Sequence, residues 1–426
     1  MGLLRRIIQK VRSDVGYRMM STKPMSPWLM LAPVDEGYKF YSLAEKKVLS
    51  INKSESESES TEFVGSSHGW IALFDRRTND LFLSNPLTRR NIKLPQIGNL
   101  PEADMNARIG RRNVSKVILS SSPEDEGCRA MMTFGPANRL AFCSPSECVD
   151  SEIEHEWTPI GDLYTNSDMV DGETTGECAH VFEDLVYCNK RRVFNTITPC
   201  EFELDSFNDM SLSMSLLEEW DTWNVIGDWE VSSKPISVEN VGNTTRYWVK
   251  KNKTLLQDHC VQIPHLVYAE EEELLYIALR FVMLTNPDDG TPVDRDASLC
   301  RFRGLGGYFS SKTVGFVILK LKEHADAEIV DDLNGLAIFV GINHSFALPA
   351  SDFPELNPNS IYFTDSKRLK RIYARDDIGI FDYRNKTVMQ VVSSDEIGLF
   401  GPTPPAPAHG LVMSSPMWFN PDTING

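Results

Sequence analysis

From residue 28 onward the chain alternates strand-sized apolar stretches with polar turns. Ile71-Ala-Leu-Phe74 and Leu81-Phe-Leu-Ser84 flank the polar Asp75 to Asp80 segment, which predicts a β-hairpin. Leu266-Val-Tyr-Ala269 and Leu274-Leu-Tyr-Ile-Ala-Leu279 enclose Glu270 to Glu273 and predict a second. Ile378-Gly-Ile-Phe381 and Thr387-Val-Met-Gln-Val-Val392 enclose Asp382 to Lys386 and predict a third. Further strands are predicted at Ser115 to Leu119, Arg139 to Cys143, Tyr247 to Val249, Val314 to Lys320, Leu336 to Ile342 and Ile361 to Thr364. Leu212, Leu216, Leu217 and Trp220 have helical spacing, but the serines around them are poor helix formers. The expected class is all-β.

A short internal repeat sharpens that expectation. Ile71-Ala-Leu-Phe-Asp-Arg-Arg77 and Ile378-Gly-Ile-Phe-Asp-Tyr-Arg384 are identical at four of seven positions, and each leads into a hairpin partner. Similar hairpins near the two ends of an all-β chain suggest a β-propeller of short antiparallel blades, which closes by setting its last blade beside its first. With blades of about 40 to 50 residues, roughly 380 residues would make about seven or eight, or fewer with long insertions.

Charge and composition narrow the partners. The 426 residues carry 43 Lys+Arg against 60 Asp+Glu, a formal net charge of −17. A phosphate backbone is repelled by that average, so nucleic acid is not expected as a partner. No apolar run approaches the roughly 18 residues of a membrane span. The eight Cys include no C-x-x-C; the closest pair is Cys143 and Cys148. Free thiols in a reducing compartment are expected, with neither a disulfide scaffold nor a zinc site. Ser54-Glu-Ser-Glu-Ser-Glu-Ser60 is an acidic low-complexity loop within the expected propeller, and Pro402-Thr-Pro-Pro-Ala-Pro407 is a stiff extended connector.

The amino terminus departs from this acidic background. Residues 1 to 20 hold Arg5, Arg6, Lys10, Arg12 and Arg18 against one Asp14, a net +4. Wound as a helix, Leu3, Leu4, Ile7, Ile8, Val11 and Val15 fall within an arc of about 140°, with Arg5, Arg6, Lys10 and Arg12 outside it. A basic amphipathic helix poor in acids is the pattern of a mitochondrial transit peptide; an ordinary surface helix or basic tail, and a plastid transit peptide richer in Ser, are the alternatives. Arg18, Met20 and Ser21 match a matrix-protease signal, with cleavage expected after Met20. Residues 1–20 are therefore expected to be a transit peptide and 21–426 one propeller domain in the mitochondrial matrix.

The chemical motifs resolve into turns. Gly65-Ser-Ser-His-Gly69 fits G-x-S-x-G, yet a strand-like run follows where a nucleophile elbow needs a helix. His344 is expected to be a hydrogen-bonded structural residue at a turn. Asp288, Asp289, Asp294 and Asp296 miss the calcium-loop spacing. Gly304, Gly306 and Gly307 lack the third glycine and the helix of a dinucleotide site. Arg89, Arg90, Arg111 and Arg112 lack the interleaved aromatics of a nucleic-acid stripe. Trp220, Trp223, Trp229 and Trp248 are expected to pack within or between blades. No catalytic, cofactor-binding or metal-binding constellation is expected.

Several motifs resemble a plant family, the domain of unknown function 295 or KIB-type β-propeller proteins, many of which carry an F-box. They include Ser26-Pro-Trp-Leu-Met30, Phe40-Tyr-Ser-Leu-Ala44, Gly65-Ser-Ser-His-Gly-Trp70, Leu83-Ser-Asn-Pro-Leu-Thr88 and Lys116-Val-Ile-Leu-Ser120. Trp157-Thr-Pro-Ile-Gly161, Asn343-His-Ser-Phe-Ala-Leu348, Pro358-Asn-Ser-Ile-Tyr-Phe-Thr-Asp365, Asp377-Ile-Gly-Ile-Phe381 and Met417-Trp-Phe419 continue the series. The resemblance implies a propeller and supplies no catalytic residue. Relatives with an F-box are ubiquitin-ligase adaptors, whereas only a transit-like segment precedes Ser26 here, so an organelle-targeted branch without F-box helices is expected. The leading expectation is a non-enzymatic mitochondrial propeller that binds an unidentified protein. The alternatives are an F-box-like substrate adaptor of a Skp–cullin ligase in cytosol or nucleus, and an enzyme using the central channel.

Overall fold

A computed structural model describes residues 26–31, 37–51, 61–75, 77–100, 114–135, 138–148, 156–160, 163–165, 177–179, 182–198, 201–204, 210–213, 216–222, 232–286, 289–294, 310–322, 326–364, 377–389 and 417–421. The first strands are β1 Trp28–Met30, β2 Tyr38–Ser42 and β3 Lys47–Ile51, followed by β4 Thr61–Ser67, β5 Trp70–Asp75, β6 Asp80–Asn85 and β7 Arg90–Lys93. Next come β8 Val114–Leu119, β9 Ala130–Phe134, β10 Arg139–Cys143 and β11 Thr158–Ile160, then the short pair β12 Leu163–Thr165 and β13 Glu177–Ala179. A further group holds β14 Asp184–Cys188, β15 Val193–Ile197, β16 Glu201–Leu204, β17 Met210–Ser213, β18 Leu216–Trp220 and β19 Ser232–Pro235. After β20 Ser237–Val241 come two helices, α1 Asn243–Lys251 and α2 Lys253–Asp258. The chain continues through β21 Cys260–Ala269, β22 Leu274–Thr285, β23 Ser310–Leu321 and β24 Asp326–Ile329. The last strands are β25 Leu336–Val340, β26 Phe346–Pro349, β27 Ser360–Phe363, β28 Gly379–Asp382, β29 Thr387–Met389 and β30 Met417–Phe419.

Four sheets have four strands each: β3-β2-β1-β30, β4-β5-β6-β7, β11-β10-β9-β8 and β14-β15-β18-β19. A ten-stranded sheet runs β20-β24-β23-β22-β21-β26-β25-β27-β28-β29, its two halves joined by one parallel pairing, Tyr268 with Phe346. The first sheet joins the two ends of the chain: Trp28, Leu29 and Met30 pair antiparallel with Phe419, Trp418 and Met417. Ring closure thus comes from these short strands. The repeated hairpins lie elsewhere, β5–β6 within the second sheet and β28–β29 at the outer end of the ten-stranded one.

The apolar core is a ring of clusters, each seated between neighbouring strand groups. Trp28, Phe40, Phe63 and Ile71 join the first and second sheets. Phe74, Leu83, Val117 and Met132 join the second and third. Ile118, Met131, Leu185 and Phe194 join the third to the β14 sheet. Val186 and Ile197 meet Leu266, Ile277 and Val317 of the ten-stranded sheet. Within that sheet, Val267, Ala278 and Phe316 face Ile338, Ile361 and Phe381. Finally Phe339 and Tyr362 meet Leu29, Tyr41 and Trp418, which returns to the first sheet. These clusters link six strand groups into a ring, and the described residues hold two further two-stranded sheets, β12-β13 and β16-β17.

This arrangement explains the long apolar runs. Side chains alternate across a strand, so a strand covered on both faces must be apolar at odd and even positions alike. In β5, Trp70, Ala72 and Phe74 face one neighbour while Ile71 and Leu73 face the other. In β25, Ala337 and Phe339 face one way, Ile338 and Val340 the other.

Two local expectations are overturned. Tyr247 to Val249 lies in α1 and is not a strand: the Asp331 carboxylate accepts from the Thr244 and Thr245 amides at 3.0 and 2.8 Å, and Thr245 and Val249, one turn apart, are buried together. The helically spaced Leu212, Leu216, Leu217 and Trp220 lie in β17 and β18. Leu217 and Trp220 point into different clusters, as an odd separation on a strand requires. Residues 1–20 with Arg18, Met20 and Ser21, the 54–60 loop, the 402–407 connector, Gly304 to Gly307, Asp288, Asp296, Arg111, Arg112, Trp223 and Trp229 lie outside the described residues.

Candidate functional site

The strands β4, β8, β14 and β21 belong to successive neighbouring groups, and buried polar bonds tie them together. β4 and β8 approach closely at Gly65, where a Cβ would lie 2.1 Å from the Val117 carbonyl oxygen. Beside that contact the Leu119 amide donates to Ser67 Oγ at 3.0 Å. Ser66 Oγ donates to the Trp418 carbonyl at 2.6 Å, linking β4 to the closing strand. Lys116 Nζ on β8 sits 2.5 Å from Asp184 Oδ1 on β14. The other oxygen of Asp184 accepts from the Leu266 amide of β21 at 2.8 Å. One carboxylate therefore joins three strands.

Histidines extend the network. The amide of His344 donates to the Ser66 carbonyl at 2.9 Å, and its Nε2 accepts from the Tyr187 amide at 3.3 Å. The expected structural role of His344 is met, and its ring is held neutral: burial pushes its pKa well below the ordinary value, helped by His68 and Lys116. His68 lies in the β4–β5 turn with its ring centroid 6.2 Å from that of His344, and burial lowers its pKa too. His68 and Gly69 both have positive φ, the geometry of a primed two-residue hairpin turn. The G-x-S-x-G match is thus a strand end and its turn. His265 on β21 is fully enclosed, its pKa pushed well down by burial and by the charges of Arg280 and Lys116. Its Nδ1 is 3.9 Å from Asp184 Oδ2, beyond hydrogen-bond range. Asp184 itself has its pKa raised by burial, against the pull of Lys116 and two backbone amides.

A second buried charge joins the halves of the ten-stranded sheet. Arg280 on β22 is fully buried; Nε donates to Thr313 Oγ1 at 2.8 Å and one terminal nitrogen to the Thr364 carbonyl at 2.6 Å. The other terminal nitrogen reaches Asp377 Oδ2 at 3.0 Å, and the guanidinium lies over the Phe363 ring. Arginine suits this place because its planar fork of donors serves several acceptors at once.

Of the residues singled out in the sequence, Trp220 is buried and donates to Thr196 Oγ1 at 2.9 Å. Arg90 pairs with Glu124, and Asp289 accepts from Thr291 within its own turn. Cys143 and Cys148 are free thiols, and burial raises the pKa of both. Lys116, Asp184, His265 and Arg280 were not recognised from sequence. The available signal is a charged residue set inside an apolar strand, as in Val114-Ser-Lys-Val-Ile-Leu119. The chemistry of these groups is mutual: each charge has its counter-charge within the protein, and the neutral histidines are enclosed.

A family model described as the KIB1-4 beta-propeller matches residues 40–382. No curated protein matches the sequence. Among solved structures, a GH43 β-1,3-galactosidase with galactodeoxynojirimycin is 11% identical, covers 64% of this chain and 88% of its own, and has a TM-score of 0.27. The PQQ-bound aldose sugar dehydrogenase of Streptomyces coelicolor is 12% identical over 78% of this chain and 96% of its own, at a TM-score of 0.26. Scores this low carry no argument about this chain.

Proposed function

Because the chain belongs to the KIB1-4 beta-propeller family, we propose that it acts as a non-enzymatic protein-binding propeller in the mitochondrial matrix. The observation that carries this reading is the use of the central charges. Lys116, Asp184, Arg280 and Asp377 pair with one another across neighbouring strand groups, so these buried charges serve the joining of the ring. The matrix address rests on the basic amphipathic pattern of residues 1–20 and the Arg18-Met-Met-Ser21 signal.

The test is proximity labelling in living plant cells with the full-length chain tagged at its carboxy terminus. Matrix proteins among the neighbours, with one recurring partner that co-purifies at fixed ratio, are expected. A neighbour list led by Skp-type adaptors and cullins would replace this reading with that of a ligase substrate adaptor.

A further inference from the structure

Helix α1 is an anomaly in both structure and charge. Between Asn243 and Gln257 the chain has four cations, Arg246, Lys250, Lys251 and Lys253, and no acid, within a protein of net charge −17. One face of the helix is fixed to the ring. Trp248 packs edge-on against Phe281 and Phe381, and its indole occupies the space that a Cβ on Gly315 would need, 2.6 Å away. Val249 and Leu256 are buried in the same cluster, and Asn252 Nδ2 donates to the Trp248 carbonyl at 2.8 Å to fix the corner between α1 and α2.

The opposite face has no use within the described structure. Tyr247 is 69% exposed, the most exposed large apolar side chain among the described residues. Lys250 and Lys251, three and four positions later, lie beside it and are exposed. Among the described residues none of the four cations enters an ion pair, and Arg246 Nε is buried without a hydrogen-bond partner. The helix dipole accounts for cations in the last turn of α1, but Lys253 opens α2, where positive charge is disfavoured. Folding thus explains neither the complete set of cations nor the exposed ring.

We propose that the Tyr247, Lys250 and Lys251 face is a docking surface for an acidic segment of a partner protein, with an apolar or aromatic side chain set against Tyr247. An exposed aromatic flanked by unpaired cations supplies both the contact area and the charge complementarity of a recognition site. A helix of this length spans about 14 Å, enough for a few residues of peptide. A nucleic acid or an anionic membrane would extend past the patch onto a surface that is acidic on average, which disfavours both. The proposal deepens the protein-binding reading, and rests on it for biological meaning.

The probe is a fluorescein-labelled twelve-residue peptide of Glu and Ser with one central Phe, titrated by anisotropy against the full chain. Saturable binding is expected at about 50 mM salt and its loss at about 0.5 M. Combined Lys250→Glu and Lys251→Glu should weaken binding at least about tenfold, and Tyr247→Ala should weaken it by a comparable factor. All three side chains are exposed, so an unchanged melting curve confirms that the variants fold. Equal binding by wild type and variants, no binding at low salt, or tighter binding of phosphatidylserine vesicles or a single-stranded oligonucleotide than of the peptide would overturn the proposal. Proximity labelling with the doubly reversed chain separates the two readings. An unchanged partner list retains the protein-binding function and removes this surface from it.

Discussion

Lys116→Met removes the ammonium between β8 and β14 while keeping most of the side-chain volume. In the native protein Lys116 and Asp184 are 9% and 4% exposed and 2.5 Å apart. Deleting one member of a buried pair strands the other, and such changes destabilise by about 3–5 kcal/mol. Asp184 keeps its bond from the Leu266 amide, which places the expected loss near the lower bound, about 3 kcal/mol. Asp184→Asn in the same background removes the stranded charge, so the double variant should recover about 1–2 kcal/mol of that loss. Without Lys116 the carboxyl pKa in the folded state rises further above its unfolded value. A raised carboxyl pKa gives stability that is full below the unfolded pKa and lost as pH rises through the folded one. The deficit of Lys116→Met should therefore be larger at pH 7 than at pH 5. Urea denaturation of the wild type, two single variants and the double variant at both pH values measures every quantity. A Lys116→Met loss under about 1 kcal/mol that is also independent of pH would refute the reasoning.

Two further outcomes follow from the same network. His68, His265 and His344 all have pKa values lowered by burial, so the unfolded chain binds protons below about 6.5 where the folded ring does not. Stability should be full above that pH and fall below it, by up to about 1.4 kcal/mol per pH unit for each histidine; a urea midpoint that stays flat from pH 7.5 to 5 would contradict this. Gly65→Ala places a methyl 2.1 Å from the backbone oxygen of Val117, which has no flexible side chain to yield. A destabilisation of about 2 kcal/mol or more is expected, read as a lower melting temperature, and an unchanged one would show that β4 and β8 are not held at the described separation.

The strands themselves were legible because their signals are local. Arg139 to Cys143 is a strand at the expected limits, and all three predicted hairpins form. Alternating apolar positions and polar turns act over a few residues, and they survive reading without partners. Motifs from Ser26 to Met417-Trp-Phe419 were enough to reveal the propeller family. The failures came where distant residues decide. Tyr247 to Val249 has strand-like composition, and it is Asp331 at its start and Gly315 beneath Trp248 that make it a helix. Lys116, Asp184, His265 and Arg280 carry no spacing signal, since their partners are brought together only when successive strand groups meet. By itself the sequence determined the strand inventory, the acidic balance and the basic amphipathic pattern at the amino terminus. Tertiary structure alone decided which strands stand side by side, that β30 completes the sheet of β1, and which buried charges find each other, because these depend on contacts between residues tens to hundreds of positions apart.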